Sequence, residues 1–144
     1  MKRLLVFLVL GITVGCSSFE SEWRAAAERN VTGIEGRWIG RWQSDVNGHN
    51  GALRCIVTKN SKNVYNTNFH AKYSLWIIPL SFGYELDMNV TAANGSHQFR
   101  GQADLGKLAG GIYQYTGEGN GTDLKFNFNA ETDHGTFYLH RLKK

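Results

Sequence analysis

Proline occurs once in the 144 residues, cysteine twice and methionine twice. The lone Pro79 excludes a proline-rich linker or polyproline architecture, and two cysteines exclude a disulfide framework. No apolar run approaches the roughly 20 residues that a spanning helix needs; the longest, Leu4–Leu10, is far shorter. Lysines and arginines are scattered rather than gathered along one face, so the basic stripe of a nucleic-acid binder is missing. The five histidines, His49, His70, His97, His134 and His140, show no metal-ligand spacing. Gly117-Glu118-Gly119-Asn120-Gly121-Thr122 joins two strand patterns and opens no helix, so it reads as a hairpin loop and not a phosphate cradle. Asp133-His134 could orient an imidazole, but no nucleophile stands at a recognisable spacing from it. No catalytic activity and no metal or cofactor is expected.

What is present begins with Lys2 and Arg3 ahead of the run Leu4–Leu10, which continues to Thr13-Val14-Gly15-Cys16. A charged start, a short apolar core and small residues before a cysteine make a secretory signal over residues 1–15. Thr13-Val14-Gly15-Cys16 resembles the lipobox of bacterial lipoproteins, which implies cleavage before Cys16 and attachment of diacylglycerol to its sulfur. Thr13 stands where that box usually has Leu. Each buried methylene of such a lipid contributes about 0.8 kcal/mol, so two or three chains hold a protein durably where one does not. The resemblance implies palmitate-type acylation, with the membrane as partner. Ser17 and Ser18 follow the cysteine in place of Asp, which points to the outer membrane, facing the periplasm, in a two-membrane envelope. With Cys16 consumed, Cys55 is the remaining thiol, and its alternation with Leu53 and Val57 makes it a core residue. Processing lowers the net charge from +4 to +2 by removing Lys2 and Arg3.

Residues 16–34 form a second segment. Phe19, Trp23, Ala26 and Ala27 follow helical spacing, which predicts a short amphipathic helix. It serves either as a tether whose Phe19 and Trp23 touch the membrane interface or as a helix packing one face on the domain.

From residue 35 to 144 the period changes to two. Trp38, Gly40 and Trp42 share one face; so do Leu53, Cys55 and Val57; then Tyr65, Thr67, Phe69, Ala71 and Tyr73; then Phe82, Tyr84, Leu86, Met88 and Val90. Phe99, Gly101 and Ala103, Tyr113 and Tyr115, Leu124, Phe126 and Phe128, and Phe137 and Leu139 complete about eight strands. Asn47-Gly48, Ser61-Lys62-Asn63, Asn94-Gly95, Asn120-Gly121 and Asp133-His134-Gly135 supply turn chemistry between them. Pro79 marks a corner or a sheet edge. The fold expected is all-β, an antiparallel up-and-down barrel, with a β-sandwich as the alternative.

Gly36-Arg37-Trp38-Ile39-Gly40-Arg41-Trp42 resembles the Gly-x-Trp opening of calycin-type barrels, the lipocalins and their relatives. Asp104-Leu105-Gly106, Gly110-Gly111-Ile112-Tyr113 and Asp133-His134-Gly135-Thr136-Phe137 are similar to runs in lipocalin-like bacterial lipoproteins. The resemblance covers roughly residues 33–142 and implies the barrel fold more than an activity. The same opening resembles nitrobindin-type haem barrels, for which His140 would be the axial residue, but His140 falls on the polar face and haem is not expected.

The aromatic stripes suggest the candidate site. Trp38, Trp42, Tyr65, Tyr84, Tyr113 and Tyr115 bring indole and phenol groups onto inward faces, where they would line a small apolar site with a polar rim. The competing arrangement is a filled interior whose tyrosines reach backbone or rim water. Two functions follow: a carrier of a small apolar ligand, or a non-catalytic structural or protein-interaction lipoprotein of the cell envelope.

Overall fold

The computed structural model describes residues 13–75 and 77–143, and no side chain before Ser18. The apolar run of the expected signal segment and the side chain of Cys16 lie outside the described residues. Helix α1 (Thr13–Glu28) is followed by β1 (Gly36–Ser44), β2 (Asn50–Ser61), β3 (Val64–Leu75), β4 (Ile78–Ala93), β5 (Ser96–Asp104), β6 (Ile112–Gly119), β7 (Asp123–Asn129) and β8 (His134–Arg141), with a 3-10 turn at Lys107–Ala109. Each strand pairs antiparallel with the next, and β8 returns to β1, closing an eight-stranded up-and-down barrel. This architecture is compatible with a lipocalin-like barrel.

Period-two alternation decides what faces inward. Leu124, Phe126 and Phe128 on β7 are buried between exposed neighbours, and Phe137 and Leu139 on β8 behave likewise. The core joins these to Trp38, Leu53, Cys55, Val57, Phe69, Met88, Val90 and Phe99. Burial pushes the Cys55 thiol well above its ordinary range, as befits a small apolar core residue. Closure brings backbones very near one another: a Cβ at Gly40 would stand 1.8 Å from the Tyr138 carbonyl oxygen. Glycine is therefore required where β1 crosses β8.

The two ends of the barrel differ. At one, the segment before β1 acts as a plug: Ile34 is buried and its carbonyl accepts a 3.0 Å hydrogen bond from Trp38 Nε1. Arg141 stacks 4.4 Å over the Trp38 ring, and its guanidinium donates to the carbonyls of Glu35 (2.7 Å), Gly121 (2.6 Å) and Gly33. Asn94 and Gly95, both at positive φ, turn the β4–β5 hairpin at this closed end. At the other end, the mouth, β4 pairs with β5 only over Asn89–Ala93 and runs on from Ile78 to Met88 against β3 alone. Pro79 sits on that unpaired side, where its missing N–H costs no ladder bond.

Helix α1 lies outside the wall. Phe19, Trp23 and Ala26, spaced as one helical face, are buried against Ile56, with Ile39 and Leu142 beside them. Phe19 and Trp23 thus meet protein, and the packed-helix expectation is the one the structure follows. Arg54 is sandwiched against both rings (4.9 and 5.1 Å) and ion-pairs with Glu20, while Asn68 donates to Glu22 at 2.7 Å.

The helix also covers His70, an outward-facing residue by period that is nonetheless buried, with its ring 4.8 Å from Phe19. Burial first, then the charges of Arg54 and Lys72, hold its imidazole below the ordinary value of 6.5, against a smaller opposing pull from Glu20. A base depressed in the folded state binds fewer protons there than when unfolded, so stability is present above pH 6.5 and is lost as pH falls through the folded value. The melting temperature of the wild type is expected to fall as the pH is lowered below about 6.5, and His70→Phe to remove that part of the dependence. Equal pH profiles for the two proteins would contradict the assignment.

Candidate functional site

The mouth holds a cavity of about 540 Å³, within the roughly 300–1,000 Å³ of small-ligand sites. Its walls come from the mouth-side halves of the strands: Trp42 from β1, Tyr73 from β3, Phe82 and Tyr84 from β4, Tyr113 and Tyr115 from β6, Phe128 from β7 and Phe137 from β8. Leu105, Leu108 and Ala109 of the β5–β6 connection overhang it. Inward residues at the ends of tilted strands line a mouth, whereas those at mid-strand meet across the axis and fill it.

The floor is a tyrosine pair. Tyr115, 1% exposed, donates to the Tyr84 hydroxyl at 2.7 Å; its ring stacks on Phe69 at a centroid distance of 6.4 Å, and the Tyr84 ring meets Phe69 tilted, at 5.5 Å. Burial raises both phenol pKa values far above neutrality, with the neighbouring tyrosine reinforcing this for Tyr84. Tyr113 is raised as well, by burial first and then by the carboxylate of Asp133. The phenols accordingly stay protonated at physiological pH and act as hydrogen-bond donors or acceptors at fixed positions. Trp42 is fixed by a 3.0 Å bond from Nε1 to the Lys72 carbonyl and an edge contact with Tyr73. At the rim, Ser44 donates to Asp133 at 2.5 Å.

Of the six residues expected to line a site, Trp42, Tyr84, Tyr113 and Tyr115 come together here. Trp38 and Tyr65 do not. Trp38 is fully buried at the closed end, and Tyr65 packs on the core near Lys59, also away from the mouth. Alternation gives a residue's face but not its height along the barrel, and the four residue steps from Trp38 to Trp42 span about 13 Å. Tyr73, Phe82 and Phe128 were legible as inward-facing and belong to the cavity; Leu105 and Leu108 lie in a connection with no periodic signal.

Among the described residues no group of three His, Cys, Asp or Glu side chains could hold a metal ion, and no helix is long and apolar enough to cross a membrane. His140 is exposed on the outer face of β8, away from the cavity. No protein-family model, curated protein or solved structure matches the chain. The class defined by fold and site is thus a small closed β-barrel with an aromatic cavity open at one end.

Proposed function

We propose that this chain is a bacterial lipoprotein, acylated at Cys16 and held at the cell envelope, whose barrel takes up a small apolar ligand at its mouth. The observation that carries the reading is the 540 Å³ aromatic cavity with phenol groups at its floor and wall. A largely apolar pocket with a few fixed polar groups is how proteins bind and orient small molecules. Protonated phenols held at fixed positions suit the orienting of a bound ligand. The charged start, short apolar run and Cys16 support the anchor, and Ser17 and Ser18 support the outer membrane, on the periplasmic side.

Titration with a panel of fatty acids, sterols and aromatic metabolites tests the binding half. A ligand is expected to shift tryptophan emission through Trp42, and Trp42→Phe to abolish the shift while calorimetry still records binding. Tyr113→Ala should weaken affinity about tenfold, or about 1.4 kcal/mol. A panel that produces neither heat nor a shift in melting temperature would remove the carrier role and leave a non-catalytic interaction role in the envelope. For the anchor, Cys16→Ala is expected to eliminate acylation; wild-type mature protein starting at another residue and free of lipid would contradict it.

A further inference from the structure

We infer that the barrel docks mouth-first on a lipid bilayer, so that the cavity opens toward the acyl chains; this rests on the apolar-ligand and anchor readings above. Two independent features point the same way.

The first is where apolar surface is left in water. Val46, Ile77, Ile78, Phe82, Leu108 and Ile112 are exposed, Ile77 at 95% and Leu108 fully. Val46 is in the β1–β2 connection, Ile77 and Ile78 at the tip of the β3–β4 hairpin, and Leu108 and Ile112 at the β5–β6 connection, so all of these ring the mouth. One exposed large apolar residue, Tyr138, lies elsewhere among the described residues. Scattered apolar side chains on a surface mean little, but a set confined to one end and encircling a cavity marks a contact surface.

The second is the direction of α1. Phe19 and Glu20 meet His70 and Arg54, Glu22 meets Asn68, and Arg29 meets Thr58 at 3.4 Å. Since β2 runs from the mouth at Asn50 to the closed end at Ser61, α1 runs the same way, and its N-terminal end points to the mouth. Cys16, three residues before Phe19, lies just under one helical turn further toward the end of α1 that points to the mouth. A lipid on Cys16 would therefore enter the bilayer at the apolar rim's end, not opposite it.

The test places an environment-sensitive fluorophore on Ile112→Cys at the mouth or on Lys62→Cys at the closed end of the full chain, bound to phosphatidylcholine–phosphatidylglycerol vesicles carrying nitroxide-labelled lipid. Buried Cys55 will not react, and the chain without an introduced cysteine corrects for any label on Cys16. The Ile112 label is expected to shift to the blue and lose at least about half of its emission to the nitroxide, with the Lys62 label unchanged. Ile77→Glu with Leu108→Glu, both at exposed positions, should abolish the quenching without altering the melting temperature. Equal quenching at both ends, quenching at Lys62 alone, no vesicle binding, or a blue shift without quenching, which would mean a protein surface covers the mouth, each overturns the inference. Quenching at Ile112 in a protein that binds no apolar ligand would retain the docking and dismiss the carrier, and ligand binding without quenching would do the reverse.

Discussion

Phe69→Ala is expected to lower stability by about 3–5 kcal/mol, the range for deleting a fully enclosed aromatic ring and leaving its space empty. The ring has no exposed surface and stands 5.3–5.8 Å from Tyr84, Phe126 and Phe137. It lies immediately below the Tyr84–Tyr115 floor, so its removal should also deepen the cavity. Asn127, on the exposed face of β7, provides the contrast: its change to Ala should stay within about 0.5 kcal/mol. Chemical denaturation of the two variants measures the difference, and comparable losses would mean that the inward and outward faces have been exchanged.

Arg141→Met should cost about 2–4 kcal/mol, because the guanidinium is partly withdrawn from water, lies over Trp38 and satisfies three carbonyls from two separate connections, α1–β1 and β6–β7. Burial pulls its pKa down, which reports the same desolvation. Arg141→Lys is expected to recover less than half of the loss, since a single ammonium cannot reach Gly33, Glu35 and Gly121 together or lie flat on an indole. Full rescue by lysine in thermal unfolding would reduce the role to charge alone. Both variants act at the closed end, far from the cavity, so ligand affinity should change little in molecules that remain folded.

The strands and their inward faces were legible because each face repeats every second residue and one-residue slips would turn every apolar side chain to water. Height along the barrel was not, because it depends on strand stagger, and this is why Trp38 and Tyr65 were grouped with mouth residues. The period also assigns a direction without saying what lies there: His70 points outward as expected, yet α1 covers it. Pro79 was correctly read as marking an edge, but β4 begins before it, at Ile78, because only its β3 side carries hydrogen bonds there. The apolar rim could not be anticipated, since Val46, Ile77 and Leu108 are isolated in connections and only chain closure gathers them at one end.

Native mass spectrometry of the protein extracted from its own envelope tests the central claim most directly, with Ala71→Trp alongside to fill the cavity that Ala71 lines. The wild type is expected to carry a noncovalent small apolar adduct that the variant lacks, while a covalent lipid increment on Cys16 persists in both after denaturation. A wild type that flies at its bare acylated mass, or an adduct retained unchanged by Ala71→Trp, would contradict a ligand site at the mouth of this barrel.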